Sequence, residues 1–194
     1  MFFETNLVTA LKDRSNSAGQ QIAFSFLSPR SEGPETLTYR ALDTKAQAIA
    51  QTLLARAKAL GQPLRQTPVL IALPAGLEFL QCYFGCLYSG AIAVPLKYPQ
   101  LNRPMEHTQN VAADCGAQLV ISTLEMQDWL RAALPSKTIL AVEDFPEAAE
   151  GIWQDPGLGA ADIAHLQYTS GSTSAPKGVA ISHKNIAHNA TDVC

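Results

Sequence analysis

Four short aliphatic runs recur along the chain with a helix-length segment between successive runs: TPVLIAL (67–73), AIAV (91–94), QLVI (118–121) and KTILAV (137–142). TPVLIAL and AIAV are short and aliphatic enough to suit strands buried on both faces, and QLVI and KTILAV read as strands that continue the series. The segments between them carry a helical period. Leu77, Leu80, Phe84, Leu87 and Tyr88 recur at helix spacing, a weaker pattern covers about 105–115, and Met126, Trp129, Leu130 and Ala133 share one face. Strands that alternate with helices in this way pair in parallel through right-handed crossovers. The predicted fold is therefore α/β, a mainly parallel sheet flanked by helices.

Upstream, MFFETNLVTALKDR reads as an amphipathic helix; Glu4 precedes any apolar run, which argues against a secretion signal. QQIAFSFLS alternates around Ile22, Phe24 and Phe26, PRSEGPE supplies a turn and TLTY a returning strand, which together predict a hairpin. From Ala41 onward the apolar residues Leu42, Ala46, Ile49, Ala50, Leu53, Leu54, Ala57 and Leu60 follow a 3.6-residue period, with Gly61 where a helix stops. The stretch 143–162 has six acidic residues, no basic ones and several Pro and Gly, and reads as an acidic surface connector. The expected organisation is an α/β block over 1–142, this connector, and a loop-bearing hairpin with its following helix over 163–194.

Composition excludes several function classes. A net charge of −3 supplies no basic field for a nucleic-acid backbone. The most apolar segment, 69–96, is interrupted by Pro74, Glu78, Gln81 and Pro95 before a membrane-spanning length accumulates. Without an export signal the expected location is the cytoplasm, and Cys82, Cys86, Cys115 and Cys194 are expected as reduced, buried residues. Cys82 and Cys86 share a helix face but lack further metal ligands; His183 and His188, about 140° apart on a helix, form no ligand pair and read as surface residues. Glu78 and Glu125 have no partner carboxylate at readable spacing, so paired acid–base chemistry has no support.

Chemistry concentrates in TSGSTSAPKG (169–178), delivered by the strand-like DIAHLQY and followed by the strand-like VAIS and a helix with Ser182 as its N-cap. Gly171 and Gly178 permit backbone conformations in which successive N–H groups converge on an anion. Thr169, Ser170, Ser172, Thr173 and Ser174 add hydroxyl donors, and Pro176 stiffens the chain before Lys177, a mobile point charge suited to phosphate. The Walker order is absent because Lys177 precedes Gly178, and no G-x-S-x-G elbow exposes a nucleophilic serine. By composition alone the stretch also fits a flexible linker. The apolar strands on both sides and the Pro-Lys-Gly ending favour an anion site. Tyr168, just before it, reads either as core or as part of a nucleotide pocket.

YTSGSTSAPKGVAISHKN resembles the phosphate loop of the adenylate-forming enzymes, and LQYTSGST is more similar to the fatty acyl-AMP ligase branch than to the CoA ligases. TLTYRALDTKAQAIAQTL, LPAGLEFLQCYFGCLYSGAIAVPLKYP and VAADCGAQLVIST are similar to that branch in the same order. The resemblance implies the N-terminal subdomain of a larger ligase that uses ATP and Mg²⁺ to convert a fatty acid into acyl-AMP and pyrophosphate. It further implies transfer of the acyl group to the phosphopantetheine thiol of an acyl carrier protein. Carried over by motif, Thr169, Ser170, Gly171, Ser172 and Thr173 would cradle the β,γ-phosphates, with Ser174 and Gly178 completing the loop and Lys177 assisting pyrophosphate departure. Ser174 stands where the superfamily usually has Gly, which reads as a mark of the branch and would strain the loop if that position needed a positive φ. The uncapped helical pattern at 183–194 is expected of a piece of a longer enzyme, inactive alone. An acyl-CoA synthetase fragment and a non-catalytic nucleotide-binding module remain open readings.

Overall fold

A computed structural model describes residues 6–28, 33–100, 103–169 and 176–193. Its centre is a six-stranded sheet in the order β6-β5-β3-β4-β7-β8. The first four aliphatic runs become β3 (Pro68–Ala72), β4 (Ile92–Pro95), β5 (Leu119–Ser122) and β6 (Thr138–Ala141). They are paired in parallel with registers such as Val69↔Ala93, Val69↔Leu119 and Leu119↔Thr138. α3 (Leu77–Tyr88) links β3 to β4; α4 (Glu106–Cys115) and α5 (Leu124–Ala133) carry the chain back past β3 to β5 and β6.

That reversal of direction sends the crossover helices to opposite faces, because each crossover keeps the same hand. In β3, β4 and β5 the odd residues therefore meet one set of helices and the even residues the other, and in β6, whose register is offset by an odd number, the parity is reversed. Val69, Ile71, Leu119 and Ile121 pack with Cys82 and Cys86 of α3 and with Ile49 and Leu53 of α2 (Tyr39–Ala59). Leu70, Ala72 and Val120 pack with Val111 and Ala112 of α4 and Met126 and Leu130 of α5. Double-sided burial is the physical reason these strands read as unbroken aliphatic runs. Trp129 lies at the rim of the second cluster, its indole N–H donating to the Met105 sulfur at 2.8 Å.

α1 (Leu7–Ala18), the antiparallel hairpin of β1 (Ile22–Phe26) and β2 (Glu35–Thr38), and α2 form an outer layer beside α3. The N-caps follow the sequence: Asn6 Oδ1 accepts the Thr9 N–H at 2.9 Å and Thr38 Oγ1 accepts the Ala41 N–H at 3.2 Å. Because Thr38 caps, Tyr39 opens α2 and does not extend the returning strand. Part of the predicted turn, 29–32, lies outside the described residues. Gly61, at φ 67°, takes the left-handed conformation just past the helix end.

The acidic stretch is more than a surface loop. Phe145, Trp153 and Leu158 are buried, and the Trp153 indole donates to the Tyr88 carbonyl at 2.9 Å with its ring 4.9 Å from the Tyr88 ring. Lys45, nearly buried, donates to the Phe145 carbonyl at 3.2 Å and to Glu147 at 2.8 Å, while Arg65 pairs with Asp162 at 3.0 Å. The acidic count of this stretch concealed its apolar anchors. Glu78 and Glu125 are exposed in the first turns of α3 and α5, and Cys82 and Cys86 are buried. Cys115 is half-buried, and Cys194 lies outside the described residues. Among the described residues no helix is long and apolar enough to cross a membrane.

Candidate functional site

β7 (Ile163–Thr169) runs parallel to β4, with His165 opposite Ala93, and β8 (Lys177–Ser182) returns antiparallel beside it. The carboxyl ends of β4 and β7 therefore reach the same edge of the sheet, where α/β proteins bind their ligands. The last two pairs of the hairpin are Tyr168↔Gly178 and Thr169↔Lys177, and the hydroxyl- and glycine-rich loop spans the gap between them. Of the eight residues singled out for phosphate contact, the structure brings Thr169, Lys177 and Gly178 together at the loop's stem. Ser170, Gly171, Ser172, Thr173 and Ser174 lie outside the described residues. Lys177 is exposed, so its ammonium is available to an anion at the loop.

A cleft of about 510 Å³ opens beside this stem, lined by Pro95, Leu96 and Lys97 after β4, His107 of α4, and Gln167 and Tyr168 of β7. A neighbouring cavity of about 400 Å³ shares Lys97 and His107 and extends along 97–108 past Arg103. Lys97, Arg103 and His107 thus stand around one opening bordered by Tyr168, whereas the chain as a whole is acidic. Such local focusing suits a polyanion.

Tyr168 is half-buried, packed on one side and bordering the cleft on the other. Its ring packs at the edge of the cluster beneath α4 and α5, and its hydroxyl faces the cleft and donates to Asp114 near the end of α4. Burial, then the hydrogen bond to that carboxylate, push the phenol well above its ordinary pKa, so it stays a proton donor. Asp114 and Tyr168 are 54 residues apart, and no spacing in the sequence announces the pair.

Two histidines stand on or beside β7. His165 Nδ1 lies 2.8 Å from the Tyr83 hydroxyl, and partial burial lowers its pKa. His183, expected at the surface, is instead fully buried at the start of α6 (His183–Val193). Its Nδ1 accepts the Leu7 N–H at 3.2 Å, closing the N-terminus of α1 over the sheet. A reading that asks only about metal spacing misses such a role, because the partner is a backbone group at the far end of the chain. Burial drives its pKa down to about 4, against the nearby Asp162 carboxylate, which raises it. His188 is exposed, and the expected cap at Ser182 forms: its hydroxyl accepts the Asn185 N–H at 3.2 Å.

A mainly parallel sheet that presents a Ser/Thr/Gly-rich loop and a lysine at its carboxyl edge defines an α/β protein of the ligand-binding kind. More narrowly, the chain belongs to the AMP-binding enzyme family, whose profile matches residues 11–194. It is 33% identical over 195 residues to the medium-chain-fatty-acid acyl-carrier-protein ligase JamA of Moorena producens, covering 95% of this chain and 32% of JamA. It is 30% identical over 205 residues to the long-chain-fatty-acid AMP ligase FadD32 of Mycobacterium marinum, covering 97% of this chain and 30% of that protein. The fatty acyl-adenylate ligase of L. pneumophila, solved with acyl adenylate and pyrophosphate, superposes with a TM-score of 0.87 at 31% identity over 97% of this chain and 32% of that one. The relatives fall in the branch that the loop resembles, and the fold is that of their corresponding portion. The chain spans about a third of the length of these relatives.

Proposed function

We propose that these residues form the phosphate-handling part of a ligase that activates a fatty acid as its acyl adenylate. The observation that carries this reading is the β7–β8 stem, which sets Thr169 and Lys177 opposite each other at the carboxyl edge of the parallel strands, one on either side of a loop rich in N–H and O–H donors. In the reaction a carboxylate oxygen of the fatty acid attacks the α-phosphorus of ATP. The bond from that phosphorus to the bridging oxygen breaks, and pyrophosphate leaves with the electron pair. Negative charge grows on the departing group, and an ammonium at the loop stabilises it more in the transition state than in the ground state. Lys177 supplies that charge. The loop hydroxyls and amides hold the β,γ-phosphates in line, a positioning task.

ATP is the nucleotide substrate, and Mg²⁺ is the ion that accompanies its phosphates and shares in neutralising them. Among the described residues no group of three or more His, Cys, Asp or Glu forms a site for the ion. The acceptor in this reading is the phosphopantetheine thiol of an acyl carrier protein, supported by the likeness to JamA, an acyl-carrier-protein ligase. Acid selection and acceptor recognition belong to parts of the ligase other than this stem.

The test is direct. The ligase carrying this segment, given ATP, Mg²⁺ and a fatty acid, is expected to form acyl-AMP, seen by mass spectrometry, only when the acid is present. Supplied next with CoA or a holo carrier protein, it is expected to load the carrier. Absence of acyl-AMP with every chain length tried would overturn the reading, and preferential formation of acyl-CoA would move the protein to the CoA ligases.

A further inference from the structure

The loop's stem carries a three-residue arrangement that the phosphate contacts themselves do not explain. Tyr168 and Gly178 are cross-strand partners, and a Cβ added at Gly178 would fall 2.7 Å from Tyr168 Cζ, 2.9 Å from its hydroxyl oxygen and 3.1 Å from Cε2. The ring therefore lies across the backbone of β8 at a place only glycine leaves open. From there the hydroxyl reaches Asp114, in the last turn of α4. α4 is fixed independently, since Val111 and Ala112 are buried against the sheet and Gly116, at φ 70°, ends the helix. Tyr168 is thus a strut between a rigid helix and the hairpin, crossing the second strand one residue from Lys177.

Alternation along a strand puts Lys177 and the Gly178 position on opposite faces of β8. The ring presses on one face at 178 while the lysine leaves from the other at 177. Both strands are already at their last pairs here, and a hairpin end without further support frays. β8 is also exposed from Lys177 to Ala180, so little else packs on it at this end.

The geometry points to Tyr168 and Asp114 as a positioning pair, with Gly178 as the seat of the phenol, that fixes where Lys177 meets the phosphates of ATP. This rests on the reading of the stem as the ATP-phosphate site. The pair touches no reacting atom in this account and acts through Lys177. The hydroxyl-to-carboxylate bond is charge-assisted, the class of hydrogen bond whose loss is felt most.

The experiment uses the ligase that carries this segment, with Tyr168→Phe, Asp114→Ala, Asp114→Asn and Gly178→Ala measured for ATP and fatty acid KM, kcat and calorimetric ATP binding. Tyr168→Phe and Asp114→Ala are expected to raise KM and Kd for ATP about tenfold, with the fatty acid KM within about twofold of wild type. Asp114→Asn keeps an acceptor for the phenol and is expected to recover most of the loss. Gly178→Ala is expected to cost at least as much in the wild type, by displacing the ring, and to add nothing to Tyr168→Ala, where no ring remains to displace.

Unchanged ATP parameters in both Tyr168→Phe and Asp114→Ala would overturn the assignment. So would equal losses for ATP and fatty acid accompanied by a lower melting temperature, the mark of a merely structural bond. A wild type that binds ATP but forms no acyl-AMP would count against the functional reading, and the pair would still be judged by the ATP Kd values. A wild type that binds no ATP would overturn both.

Discussion

His183 Nδ1 accepts the backbone N–H of Leu7 across 3.2 Å, joining the first residue of α1 to the first residue of α6. An imidazole can accept at Nδ1 only when neutral, with its proton on Nε2. Here Nε2 is buried and, among the described residues, has no hydrogen-bond partner. The arrangement is therefore incompatible with charging the ring.

Its pH consequence has a definite sign. With the folded pKa about 4, below the ordinary 6.5, the unfolded chain binds the proton first. The stabilisation is fully present above about pH 6.5 and is lost as pH falls toward 4, by up to about 3 kcal/mol. Urea midpoints measured between pH 7 and 4 should fall steadily, and His183→Asn should flatten that slope while lowering stability at pH 7. A slope unchanged by the substitution would contradict the burial argument.

The crossing of α2 and α3 makes a second prediction. A Cβ at Gly85 would stand 2.3 Å from Ile49 Cγ2 and 2.6 Å from Ile49 Cβ, so the two helices touch where only glycine fits. Gly85→Ala must push them apart and is expected to cost about 1–3 kcal/mol of stability despite its better helix propensity. Adding Ile49→Ala should return part of the loss in a urea titration. A stabilised Gly85→Ala would mean that the helices are not packed at this distance.

Cysteine chemistry gives a third. Burial pushes the Cys82 and Cys86 thiols up, and neither side chain has any exposed surface. The thiolate is the reactive form. Iodoacetamide at mildly alkaline pH should therefore leave both unmodified in the folded protein and label them after denaturation, which peptide mass mapping can follow. Labelling of Cys82 before unfolding would show that α3 opens locally.

Much of the fold was legible because its strands are buried twice. The runs at 67–73, 91–94, 118–121 and 137–142 had to be aliphatic throughout, and the helices between them had to show one apolar face; both patterns are local. Met126 and Leu130 were identifiable as core for the same reason. Trp153 and Phe145 were not, because they are isolated apolar anchors in an otherwise polar strap and no period marks them. His183 was missed because its partner is the Leu7 amide, 176 residues away. At the site, the composition of the loop is what suggests an anion ligand, and its strand flanks are those the sequence led one to expect. The Tyr168–Asp114 contact joins two elements that only the sheet order brings together.

The account's central claim is that the β7–β8 stem serves the phosphates of ATP, and Lys177 tests it most directly. In the ligase carrying this segment, Lys177→Ala is expected to slow fatty-acid-dependent exchange of pyrophosphate into ATP about a hundredfold, with the fatty acid KM little changed. Exchange at the wild-type rate in that variant would remove Lys177, and with it the stem, from adenylate formation.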